Sequence, residues 1–163
     1  MEYEEYEPVN DMSEDDIRKT NHKDLTAVLK RTSVLDDQES RRELSAQFVR
    51  MLREDSWIIV YLTEKVSHEK IMDLEAYLPL AVVMGSDSSY YGIAFSSYDN
   101  LCEFSLKPPA VLYATAVPIR HLFAEIATYV DPDGIVLNLK DSETPNVRVD
   151  EEWIMNLIKE AKS

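Results

Sequence analysis

The sequence predicts an α+β fold: a single domain with a mixed, mainly antiparallel sheet and helices packed on it. Three observations predict it. Between Tyr90 and Ile158 the chain alternates strand, short helix, Pro108-Pro109, strand, Pro118-started helix, the strand Gly134-Ile-Val-Leu-Asn138 and a final amphipathic helix, an order that layers helices on a sheet. Upstream, Trp57-Ile-Ile-Val-Tyr-Leu62 is a continuous apolar run, rich in β-branched and aromatic residues and too short for a typical helix, so it reads as a buried and central strand. A length of 163 residues suits one hydrophobic core and leaves little for a second.

In chain order, residues 1–20 form an acidic arm, read as disordered, and 21–163 form the domain. His22 to Arg31 places Leu25, Val28 and Leu29 on one face of a short helix. A longer helix follows, capped by Asp36 or Asp37, with Leu44, Phe48, Met51 and Leu52 as its apolar stripe and its end near Asp55. Residues 64–76 carry no assignable pattern. Leu80 to Met84 and Tyr90 to Phe95 are expected to pair as antiparallel strands across a loop of hairpin length.

Ser96-x-x-Asp99 resembles a capping box for a helix through Leu101 and Phe104, stopped by the two prolines. Val111 to Ala116 is the next strand, and Pro118 is expected in the first turn of the helix after it, where a missing amide hydrogen costs nothing. Ile119, Leu122, Phe123, Ile126 and Val130 give that helix a broad apolar stripe. Asp131 to Gly134 reads as a turn, Ile135 to Leu137 as a strand with Asn138 as its polar exit, and Val147 to Val149 as the last strand. The final helix starts after Asp150, with Glu151 and Glu152 in its first turn and Lys159 and Lys162 in its last, complementing its dipole. Its stripe of Trp153 or Ile154, Leu157, Ile158 and Ala161 is expected to dock on the sheet.

Charge excludes whole classes of partner. The chain has 31 acidic and 17 basic side chains and a formal charge of -14, which repels a phosphate backbone and an anionic membrane. Eight of the acids, and no base, lie in residues 1–16, a pattern of solvated tails and of segments that meet basic partners. The longest apolar runs, such as Leu78 to Met84, are far shorter than a bilayer span. The start Met1-Glu2-Tyr3-Glu4-Glu5 lacks the basic head and apolar middle of a secretory signal, so a cytoplasmic protein is expected if the sequence is complete. The single cysteine, Cys102, allows no internal disulfide.

Two segments resemble a known family. Tyr91-Gly-Ile-Ala-Phe-Ser-Ser-Tyr-Asp-Asn-Leu101 is similar to the strand, Phe-Thr-Ser and charged-helix segment of the SseB-type N-terminal domain, named for enhanced serine sensitivity. Pro118 to Ile126 followed by Asp133-Gly-Ile-Val-Leu-Asn138 is similar to its Pro-started helix and aspartate-glycine-strand-asparagine turn. The resemblance spans about residues 24–158. It departs at Leu139, where the family often has proline, and at Ser96, where it has threonine. It implies a small bacterial α+β protein that serves as an accessory or partner-binding module, and it supplies no catalytic residue.

Reactive constellations are sparse. Cys102 and His121 could act as nucleophile and base only if the fold joined them. A cysteine following Leu101 on a short helix is more simply a small buried hydrophobe. His121 and Glu125, four apart on one helix, offer half of a four-ligand metal site, and the simpler expectation is a surface pair. Glu125, Asp131, Asp133 and Asp141 are no surer as an acid–base pair, because carboxylates are abundant here. Gly85, Gly92 and Gly134 are isolated and build no phosphate loop. Tyrosine supplies contact area with a polar tip, so Tyr90, Tyr91 and Tyr98, with Asp99, form the candidate interaction surface.

The expectation is therefore a non-enzymatic accessory or regulatory protein, without cofactor or metal, that binds another protein, a basic one being favoured. An immunity or antitoxin-like role is its specific form. The alternative is a small-metabolite sensor for amino acids, with a pocket between the sheet and the Pro118 helix.

Overall fold

The computed structural model describes residues 17–62, 81–84, 89–104, 113–128, 133–141 and 144–163, without the side chains of 81–84 and 113. Its elements are α1 (Lys23–Leu35), α2 (Gln38–Arg53), β1 (Trp57–Leu62), β2 (Ala81–Met84), β3 (Ser89–Phe95), α3 (Tyr98–Glu103), β4 (Tyr113–Pro118), α4 (Ile119–Thr128), β5 (Gly134–Leu137), β6 (Val147–Asp150) and α5 (Glu151–Lys162). The strands form one mixed sheet in the order β4-β1-β3-β5-β6, with β2 on the N-terminal half of β3. Every pairing is antiparallel except β3 with β5, so the α+β class holds. β1 has a partner on each edge, β4 on one and β3 on the other.

Strand alternation divides the sheet into two buried faces. Ile58, Val60 and Leu62 of β1 join Ala94, Val117, Ile135 and Val149 beneath α1, α2, α4 and α5. Ile59 and Tyr61 point the other way, with Ile93, Phe95 and Val136, and are covered by Leu101 of α3 and by Ile17. On the helical side Phe48 meets Phe123 edge to face, ring centroids 5.5 Å apart, an arrangement that adds to the burial of each ring.

The helices begin where short acceptors can catch free amides. Asp37, rather than Asp36, caps α2 by accepting from Ser40 N at 2.8 Å, and Asp150 caps α5 by accepting from Trp153 N at 3.0 Å. α1 runs past the expected end at Arg31 to Leu35, because Thr32 is buried and Asp36 stops the helix in the left-handed region at φ 45°. α5 buries Ile154 and Leu157 but packs mainly between α2 and α4 rather than on the strands.

Several expectations shift. Ser97, not Ser96, caps α3, with Asn100 N donating to its Oγ at 3.2 Å, because Ser96 is already engaged across the sheet end. β4 ends on Pro118, opposite Trp57 in the ladder, so α4 begins at Ile119. Proline is tolerated there because β4 lies at the end of the strand order. The folded body already includes residues of the expected arm: Ile17 is fully buried, Arg18 lies over the Tyr98 ring, and Thr20 O accepts from Tyr98 N at 3.1 Å. The readings at residues 1–16, 64–76 and 105–112, and those at Val130 and Asp131, lie outside the described residues.

Candidate functional site

A polar network closes the carboxyl ends of the parallel strands β3 and β5. Asn138, just after β5, takes the left-handed conformation at φ 56°, which asparagine tolerates better than most side chains. That turn aims its amide at the residue following β3. Ser96 N donates to Asn138 Oδ1 at 2.8 Å, and Asn138 Nδ2 donates to Ser96 Oγ at 2.8 Å. Thr26 of α1 donates to His22 O at 3.0 Å and lies 2.5 Å from Ser96 Oγ. His22 extends the network, its Nε2–H donating to Trp57 O at 2.6 Å. The chain Asn138, Ser96, Thr26, His22 ties α1 to the end of the sheet.

Beside this network lies a crevice of about 340 Å³. α1 contributes Thr26, Lys30 and Ser33 to it, and α3 contributes Asn100 and Glu103. Leu137 and Asn138 belong to its β5 end, with Lys140, Thr144 and Asn146 from the β5–β6 connection. Crevices outside the carboxyl ends of parallel strands are a recurrent ligand position, because the backbone turns away there in different directions. Two lysines and a glutamate are among the residues that line this one.

Compared with family models, curated proteins and solved structures, the chain matches none of them. The site therefore has to be argued from its own geometry.

The candidate tyrosines do not form one patch. Tyr90 and Tyr91 point to opposite faces of the sheet, as alternation requires. Tyr90 is 46% exposed, while Tyr91 is half-buried against the second core cluster with Arg148 over its ring. Tyr98 is also half-buried on that side, but beyond the far end of β3, about 16 Å of strand from Tyr90. Asp99 is exposed on α3.

The sheet separates the two members of the imagined thiol pair. Cys102 is exposed on α3, not buried as expected, because Leu101 takes the inward position of that short helix. His121 belongs to α4 on the other face. Of the acids considered as a pair, Asp133 Oδ2 accepts from Tyr90 N at 2.9 Å and ties the start of β5 to the start of β3, while Asp141 Oδ1 accepts from Thr144 N at 2.7 Å and organises a turn. No cluster of three or more His, Cys, Asp or Glu suited to a metal occurs among the described residues. None of their helices is long and apolar enough to cross a membrane.

His121 and Glu125 are a correction of substance. They are 7% and 5% exposed, not a surface pair. The apolar stripe of α4 is wide enough that the neighbouring face is also covered, and α5 packs against this helix. Thr115 Oγ1, His121 Nδ1 and Glu125 Oε1 are sealed from solvent without a hydrogen-bond partner. Burial pushes the Glu125 carboxyl up from 4.5 to about 7, since a low-dielectric setting disfavours its charged form.

Sequence reasoning missed Thr26, Lys30, Asn100 and Glu103 as neighbours. They come from segments far apart in the chain, and each alone is an ordinary helix residue. Asn138 carried the one local signal, a polar residue closing an apolar strand.

Proposed function

We propose that this protein is a non-enzymatic binding protein of SseB type, whose crevice beside Ser96 and Asn138 takes a small zwitterionic metabolite of the amino-acid class. The observation that carries the reading is the pairing of Lys30 with Glu103 as lining groups of one crevice. An α-amino acid presents a carboxylate and an ammonium on a single carbon, and the two side chains offer a partner for each. Hydroxyl and amide groups between them suit the remaining polar atoms, while Leu137 and Val147 offer apolar contact. The Asn138–Ser96–Thr26 bonds hold the walls in place before a ligand arrives, which lowers the ordering cost of binding.

Thermal unfolding in the presence of each proteinogenic amino acid tests it. A ligand at a hundred times its dissociation constant adds about 2.7 kcal/mol to the folded state and raises the midpoint. At least one amino acid is expected to do so, and charge reversal at Lys30 or Glu103 is expected to abolish the effect. No shift with any amino acid at millimolar concentration overturns the proposal.

A second reading, docking on a basic protein, is favoured by the eight acids of residues 1–16 and by two exposed apolar side chains at the end of α1, Val34 at 73% and Leu35 at 55%. Carboxylates would steer the encounter and the apolar pair would anchor it. An immunity-like role is the specific form of this reading. Capture of a partner that is indifferent to ionic strength argues against steering.

A further inference from the structure

On the side of the molecule where α2, α4 and α5 meet lies a second concavity, of about 300 Å³. It is the size of a small ligand site, and its chemistry differs from that of the crevice. Leu52, Ala124, Ile158 and Ala161 make its lining mainly apolar, while Arg120 and Lys162 bring two cations to it. In a chain of charge -14, two cations beside an apolar hollow without a carboxylate among its described lining residues is an uncommon local balance.

His121 completes the lining. It is more than nine-tenths buried, and Nδ1 is sealed with no partner. An unpartnered N–H in that place would cost more than an unpartnered lone pair, so the ring proton belongs on Nε2, the nitrogen left to face the hollow. Arg120 commits its Nε to Asp55 at 2.6 Å, which anchors the guanidinium beside the hollow with its Nη groups left over. Burial pushes the carboxyl of Glu125, one turn along α4, up to about 7, so near neutral pH it sets only a partial negative charge against an incoming anion.

We propose that this groove binds a small monocarboxylate with an apolar body, the body lying on Leu52, Ala124 and Ile158 and the carboxylate meeting His121 Nε2–H and the Lys162 ammonium. The site is independent of the amino-acid crevice and would stand if that reading failed.

Titration calorimetry and thermal unfolding of the full chain with octanoate, 1-octanol and octylamine test it. Octanoate is expected to bind and raise the unfolding midpoint, 1-octanol to bind more weakly, and octylamine not to bind. Lys162→Glu changes an exposed helix-end residue, so it leaves the fold intact and is expected to weaken octanoate about tenfold, the loss of one charge-assisted contact. Ala124→Leu fills the groove and is expected to abolish binding of both octanoate and octanol. Lys30→Glu, in the crevice, is expected to leave octanoate affinity unchanged. Equal affinity for octanoate and octylamine, or octanoate affinity unmoved by both Lys162→Glu and Ala124→Leu, overturns the proposal.

Discussion

Ser96 and Asn138 bind each other twice, backbone amide to side-chain oxygen and side-chain amide to hydroxyl, both at 2.8 Å. The pair links the exits of two parallel strands 42 residues apart in sequence. It also passes the connection to α1 through Thr26. This small lattice sits at a sheet end where α1 and α3, from opposite faces, line one crevice.

Asn138→Ala removes both bonds and leaves a β-carbon in the left-handed region. The expected loss is about 2–4 kcal/mol in urea unfolding, and Asn138→Gly, which keeps the backbone freedom, should lose less. Ser96→Ala alone should cost about 1–2 kcal/mol. In a double-mutant cycle the two losses should fall short of additivity by at least about 0.5 kcal/mol, and strict additivity would show that the pair is not coupled.

Gly134 has no room for a side chain. A β-carbon there would lie 2.3 Å from Val149 O and 2.7 Å from Asp150 Cα, both backbone atoms of the paired strand. Gly134→Ala is therefore expected to destabilise by about 3 kcal/mol or more, or to prevent soluble expression, because β5 or β6 must shift. A variant with wild-type stability would mean that the β5–β6 approach is looser than observed.

Glu125 makes stability depend on pH in a defined direction. Its folded-state value is raised from 4.5 to about 7, so between those values the folded chain holds a proton that the unfolded chain has released. The associated stability is fully present below pH 4.5 and is lost as pH rises through 7. Glu125→Gln should match the wild type near pH 4 and exceed it by about 1–3 kcal/mol at pH 8.5. A constant difference across that range in denaturant titrations would count against the buried carboxyl.

Core and surface should respond unequally. Phe48 is fully buried against Phe123, and Phe48→Ala is expected to cost about 3–5 kcal/mol. The Arg31–Glu43 ion pair joins side chains that are 42% and 50% exposed. Glu43→Gln should cost less than about 1 kcal/mol, and less still in high salt.

Periodicity determined the elements by itself. The stripe Leu44, Phe48, Met51, the apolar run Trp57 to Leu62, the helix start after Asp150 and the Gly134 to Leu137 strand were all legible, since each is set by contacts within a few residues or by alternation about a single axis. The register that puts β3 parallel to β5, the use of Ser97 rather than Ser96 as a cap, the burial of His121 and Glu125, and the placing of Lys30 and Glu103 on one crevice were decided only by the tertiary structure. These features depend on which segments distant in sequence pack together. A histidine and a glutamate one turn apart read the same in a sequence whether solvent or another helix lies over them.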